Sequence, residues 1–404
     1  MAQARFGRRQ VLGFEQGPVG FMDSPGGKPF VLFCAGEDSG DILGESFVRE
    51  VVAVGLDACG AGGARMQGAG LRPLVNFEHL PVSGFGDVLA SCGTLRRDFD
   101  VLRSSLRDEN CLALVAIDYP GFNMKLVRLA KQLKKPVLYV APPQIWAWKS
   151  GRAKQLRGIP LAAFFDFEVD AYRKYGCEAQ LMLHPLATAL QPARQPANGE
   201  VLLLPGSRLA QATRNIRTFL KPALDVAYHI GGGKGVTILA ARESLCRPFT
   251  EIVETLALKK TSCEVKVEVI PASTEKRLER YSHASLALVC PGTATLEVAM
   301  AATPMVICTK PDLLTYALGK LLVRSKSFGL PNLIAGETFY GEFIAAPFAN
   351  PNGVAKRVID ACQKAVSQSS DSVIQTIRSK LSGGKPAHEL MLEFLGQFVE
   401  RKAH

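Results

Sequence analysis

Short apolar runs closed by Gly, Pro or Asp recur along the chain, and stretches with apolar residues at helical spacing lie between them. Pro29–Ala35 ends at Gly36 and predicts a buried parallel strand, with a tight turn over Gly36–Asp41 and a helix over Ile42–Val52 after it. Leu56–Cys59, Leu112–Ile117, Pro136–Val140 and Leu161–Phe165 repeat the strand signal, and Leu126–Lys134 reads as a helix. Gln191–Gly199 is rich in Pro, Gln and Gly and favours neither element, so it predicts a linker. Beyond it the pattern restarts with Val201–Leu204, Val236–Ala240, Val265–Ile270, Leu286–Val289 and Pro304–Cys308. Strand and helix alternating in two blocks predict an α/β fold of two doubly wound, Rossmann-like halves around a cleft. The expected division is a loose extension over 1–28, a first domain over 29–190, a linker over 191–199 and a second domain over 200–345, with residues 346–404 following.

Open parallel sheets bind ligands beyond the carboxyl ends of their strands, so residues closing the strands are the first chemical candidates. Gly36–Asp41 can admit an anion or sugar at a helix start, or can be an ordinary turn capped by Asp38, Ser39 or Asp41. Asp118 closes a strand and can remove a proton from a hydroxyl, or can cap the next helix. Gln144–Trp148 holds both tryptophans, suited to stacking on sugars or to core packing. Leu204–Arg208 gathers amides, a hydroxyl and a guanidinium suited to a diphosphate, or forms a surface turn. Gly292–Glu297 opens a helix that can hold phosphate while its carboxylate meets a ribose diol, or is a capping box. Gly60–Arg65 fails the dinucleotide fingerprint because Arg occupies the last position.

Composition narrows the partners. The 404 residues carry 48 Lys and Arg against 37 Asp and Glu, a net charge of +11, which favours phosphorylated ligands or an anionic bilayer. No basic run is interleaved with aromatics, so nucleic acid is not expected. The ten cysteines form no C-x-x-C pair, several sit in apolar runs, and the six histidines lack ligand spacing, so neither a disulfide framework nor a metal site is expected. The N-terminus reads as no secretory signal and no apolar run is long enough to span a bilayer, giving an expected cytoplasmic protein.

Seven segments, in order, resemble the lipid A disaccharide synthase family: AGEDSGDILG (35–44), GGARMQGAG (62–70), IDYPGFN (117–123), YVAPPQIWAW (139–148), LLPGSR (203–208), PGTATLEVAMAATPMV (291–306) and LPNLIAG (330–336). The resemblance implies a GT-B architecture and an inverting, metal-independent transfer that needs no cofactor. It implies UDP-2,3-diacylglucosamine as donor, lipid X (2,3-diacylglucosamine 1-phosphate) as acceptor and a β-1′,6-linked disaccharide as product. By the same resemblance Asp118 is the base; Ser207, Arg208, Gly292, Thr293, Glu297 and Asn332 bind the UDP-sugar; and Ser39 and Asp41 face the acceptor. Leu80–Leu95 aligns with a membrane-facing segment carrying Val82, Phe85, Val88 and Leu89, which implies peripheral attachment to the inner membrane's cytoplasmic face. The last segment, 346–404, is expected to be helical and to cross back to the first domain, and a homodimer with exchanged C-terminal segments is left open. Gly121, Pro291, Leu183, Thr188, Gly341 and Ala345 depart from the family pattern. Competing assignments are another UDP-sugar GT-B enzyme, an N-acetylglucosaminyltransferase or an epimerase, and a non-catalytic lipid- or nucleotide-binding relative.

Overall fold

The computed structural model describes residues 27–80, 92–146, 150–189, 199–229, 234–256, 263–313, 315–317 and 327–399. Val82, Phe85, Val88 and Leu89 lie outside the described residues, as do Trp148, residues 191–198 of the expected linker and 1–26 of the N-terminal extension.

Every named strand among the described residues pairs in parallel. The first sheet holds β1 (Phe30–Ala35), β2 (Asp57–Ala61), β3 (Leu71–Pro73), β4 (Cys111–Ile117), β5 (Val137–Val140), β6 (Leu161–Ala163) and β7 (Ala179–Leu181), in the order β3-β2-β1-β4-β5-β6-β7. The second holds β8 (Glu200–Leu204), β9 (Gly235–Ala240), β10 (Val265–Val269), β11 (Leu286–Val289), β12 (Met305–Thr309) and β13 (Gly341–Ile344), in the order β10-β9-β8-β11-β12-β13. The central strands are buried along their length, as near-continuous apolar runs require when helices cover both sheet faces. Three strands were not foreseen: β3, β7 and β13 are short and carry Arg, Gln, Glu or Gly, too little apolar signal to mark a strand.

The strand order reverses once in each sheet, between β1 and β4 and again between β8 and β11. At such a point adjacent strands send their helices to opposite faces, which opens a crevice at the strands' carboxyl ends. Helix α1 (Asp38–Ala53) leaves β1 and buries Gly40, Gly44, Phe47, Val48 and Val51, an i, i+3, i+4 stripe that lies on the sheet.

The C-terminal segment couples the halves. Among its helices, α13 (Asp371–Leu381) packs on α10 (Thr293–Met300) and α11 (Leu330–Ala335) of the second half. Lys385 then pairs with the first half: its N–H donates to Leu181 O at 2.9 Å, and its carbonyl accepts from Leu183 N at 2.8 Å. Helix α14 (Ala387–Val399) finishes against α1, burying Leu390, Met391, Phe394 and Leu395. Gly384 makes the crossing possible, since it holds φ +92° and an added Cβ would stand 2.5 Å from Leu181 O. Gly384→Ala should therefore lower stability by about 1–2 kcal/mol or more, with protease cleavage appearing first between α13 and α14; an unchanged urea midpoint would show that the crossing tolerates a side chain.

Candidate active site

The turn after β4 is built from two consecutive non-glycine residues in the left-handed region, Asp118 at φ 47° and Tyr119 at φ 48°. Such residues need outside support. Asp118 N–H donates to Val140 O at 2.9 Å, and Asp118 O accepts from Asn123 Nδ2 at 2.8 Å and Tyr139 Oη at 2.9 Å. Asn123 is fully buried in α4 (Pro120–Gln132), and its Nδ2 also reaches Cys34 O at 3.0 Å and Ile117 O at 3.1 Å. Tyr119 Oη donates to Leu80 O at 2.8 Å. The turn thus aims the Asp118 side chain out of the end of β4, beside the end of β1. Burial pushes its carboxyl up to about 7; the negative Glu37 adds to the rise, and the Tyr119 N–H and Arg208 oppose it.

Three cross-cleft ion pairs, made by two arginines, bring the second half to this turn. Arg208, in the loop after β8, donates through Nη2 to Glu37 Oε1 at the end of β1. Arg242, after β9, donates to Asp38 Oδ2 at 2.8 Å and contacts Glu78 Oε2 at 3.0 Å. The reversal points of both sheets therefore face each other, with Arg208 close enough for its charge to act on the Asp118 carboxyl. Ser207 is partly buried beside Arg208, and Gly292 and Thr293 are exposed at the start of α10, which follows the adjacent strand β11. Backbone N–H groups at a helix start and a guanidinium are both donor types that suit an anion. Ser39 lies in the first turn of α1, partly buried.

Three residues expected to bind substrate are buried and hydrogen-bonded within the chain. Asp41 is buried and takes N–H groups from Arg65 at 3.1 Å and Met66 at 3.0 Å, anchoring α2 (Ala64–Gly68). Glu297 is buried under α10, bonded to Arg277 Nε at 3.0 and 3.1 Å, Arg277 Nη2 at 2.8 Å and Tyr281 Oη at 3.3 Å. Asn332 is buried and donates to Tyr340 O and Glu342 Oε1 while accepting from the N–H groups of Phe339 and Tyr340, which exhausts its amide.

Two residues went unnoticed in the sequence. Glu37 looked like part of a capping turn. Glu168, in α5 (Asp166–Arg173), is buried and accepts from Trp146 Nε1 and Phe164 N, each at 3.3 Å. Burial lifts its carboxyl to about 7, and the Asp118 charge contributes to the rise. Trp146 meets Phe167 edge-on at 5.2 Å, so it serves packing as well as Glu168.

Two parallel-sheet halves with facing reversal points define the GT-B fold. The S. aureus MnaA–UDP co-structure shares this fold at TM-score 0.58 and 9% identity, over 92% of this chain and 97% of that one. A Methanocaldococcus jannaschii UDP-GlcNAc 2-epimerase does so at TM-score 0.55 and 12% identity, over 92% and 99%. A family model described as lipid-A-disaccharide synthetase matches residues 31–383. The lipid-A-disaccharide synthase of Trichlorobacter lovleyi is 34% identical over 344 residues, 81% of this chain and 86% of that protein. That of Geobacter sulfurreducens is 30% identical over 395 residues, 91% and 98%. The chain belongs to the lipid-A-disaccharide synthase family.

Because the Asp118 carboxyl binds its proton more tightly folded than unfolded, its favourable contribution is complete below about pH 4 and lost as pH rises through about 7. Asp118→Asn should accordingly raise the thermal midpoint at pH ~8 by about 2 °C or more, with little gain at pH ~4. Equal effects at both values would mean the carboxyl is not held protonated by its surroundings.

Proposed function

We propose that the cleft joins two acylated glucosamines, transferring the sugar of UDP-2,3-diacylglucosamine to the 6-hydroxyl of lipid X and releasing UDP. The observation that carries this reading is that Glu37 bridges the halves to Arg208 beside Asp118, with the Arg208 charge acting on the Asp118 carboxyl. Asp118 takes the proton of the acceptor's 6-hydroxyl as that oxygen bonds to the donor's anomeric carbon. The bond from that carbon to the phosphate oxygen breaks on the opposite face, its electron pair leaves with UDP, and the centre inverts. Arg208, Ser207 and the helix start at Gly292–Thr293 receive the charge growing on the diphosphate. Ser39, in the first turn of α1, faces the acceptor. Holding both sugars between fixed strand ends replaces an encounter in solution with an oriented attack.

Both substrates are acylated, and the chain carries a net charge of +11. Among the described residues no helix is long and apolar enough to cross a membrane. We therefore infer attachment to the surface of the inner membrane on its cytoplasmic face, basic residues meeting anionic headgroups.

The decisive assay supplies both substrates to the full chain and follows disaccharide and UDP. Asp118→Ala should lower kcat by about 100-fold or more while UDP binding measured by calorimetry persists; wild-type turnover in this variant excludes Asp118 as base. Arg208→Ala should lower kcat/KM by about 100-fold and weaken UDP binding. For the wild-type enzyme kcat/KM should fall about tenfold per pH unit below a midpoint near 7, because only the ionised Asp118 accepts the proton.

A further inference from the structure

The geometry points to Glu37 as a positioning residue for this transfer: its carboxylate spans the cleft to hold the Arg208 guanidinium at one corner, fixing that cation against the turn that carries Asp118. The inference rests on the function proposed above and adds a residue to it.

Glu37 occupies the N-cap position of α1 with extended backbone, φ −144° and ψ 158°, yet its side chain makes no capping hydrogen bond. Ser, Thr, Asp and Asn are the residues that stabilise such a position, and a long carboxylate that ignores the helix gives up that stabilisation. Its side chain turns instead to the opposite half of the molecule and is 18% exposed there. A residue that breaks a local rule without serving its own helix marks a functional constraint.

Its neighbours fix its place. A Cβ on Gly36 would stand 2.2 Å from Tyr119 Cδ1, so the backbone just before Glu37 rests directly on the ring that follows Asp118. Glu37 cannot drift from the Asp118 turn without unpacking Tyr119. On the other side, Arg208 uses Nη2 for Glu37, while its Nε is buried and has no partner among the described residues. The guanidinium is thus restrained at one end and keeps donors for a phosphate oxygen. Five N–H groups in a rigid fork allow both at once. The pair is partly exposed, so it contributes only about 0–1 kcal/mol to stability. Its value lies in alignment.

The arrangement has a second effect on the base. The negative Glu37 raises the proton affinity of Asp118. Removing that charge must lower it, whereas a purely structural role would leave it in place.

The test uses the full-length enzyme with Glu37→Gln, Glu37→Asp, Arg208→Lys and the Glu37→Gln/Arg208→Lys double variant. Disaccharide formation is followed from about pH 5.5 to about pH 9. Glu37→Gln should lose about tenfold or more in kcat, with the acid limb of kcat/KM displaced downward by about one pH unit. Glu37→Asp, which keeps the charge, should retain the wild-type limb. The double variant should be little worse than Arg208→Lys alone, since both changes break one pair. Wild-type rates in Glu37→Gln, or a rate loss with an unmoved acid limb and full additivity with Arg208→Lys, overturn the proposal. Should the wild-type enzyme form no disaccharide, the proposed function fails first. UDP calorimetry on the same four variants then decides the pairing by itself: non-additive affinities support it, and additive ones overturn it.

Discussion

The left-handed turn at Asp118–Tyr119 is the constraint on which the cleft depends. Each such residue costs about 1–2 kcal/mol relative to ordinary backbone, and here two stand in succession with no glycine. The cost is met by a closed set of bonds: Asn123 and Tyr139 on the Asp118 carbonyl, Val140 on its amide, Leu80 on the Tyr119 hydroxyl. Every partner comes from an element buried in the first sheet or bound to it, so the sheet itself fixes the direction of the Asp118 side chain. A relaxed turn would turn the carboxylate toward solvent or into the core. Strain held in this way at a strand end is characteristic of sites whose geometry matters more than local comfort.

With that direction fixed, the second half has only to bring a cation opposite. It does so at its own strand reversal, where the loop after β8 delivers Arg208 and the next strand, β11, delivers the start of α10. The bonds across the cleft are few and partly exposed, and exposed pairs stabilise little. What keeps the halves in register is the covalent return of the chain: α13 packs on the second half, and α14, some residues later, on α1 of the first. The cross-cleft charges adjust an arrangement that buried apolar area already holds. A cleft assembled in this way can admit a diphosphate without first breaking a large interface.

Much of the fold was legible in the sequence because parallel sheets buried on both faces announce themselves as unbroken apolar runs. β1, β4, β8 and β11, the four strands that bear the cleft, were all visible in this way, and so were Asp118 and Arg208 at their ends. The short edge strands β3, β7 and β13 were not, since three or four residues interrupted by Arg, Gln or Glu carry no period. Glu37 escaped for a different reason. At a helix start a carboxylate reads as a cap or a dipole partner, and only the tertiary structure shows that its side chain leaves the helix for a residue 171 positions away. Glu168 was hidden by the same locality, because nothing near it in the chain signals that Trp146 will reach it.

Motif residues that match a family pattern differ in how far the fold itself occupies them. Asp41, Glu297 and Asn332 match as well as Asp118 and Arg208 do, yet each spends its hydrogen-bonding capacity inside the chain. Asp41 anchors the α2 turn beside β2, Asn332 pins the 339–342 segment that leads into β13, and Glu297 neutralises Arg277, which itself bonds the carbonyls of Pro271 and Ala272. Removing one partner of a buried charge pair such as Glu297–Arg277 leaves the other uncompensated and costs about 3–5 kcal/mol, enough to abolish activity without any contact to substrate. Loss of function on mutating a motif residue therefore does not assign it to binding. What sets Arg208 and Asp118 apart is that Arg208 keeps an Nε without a partner among the described residues and that the proton affinity of Asp118 is raised, with Glu37 bonded to the first and repelling the second.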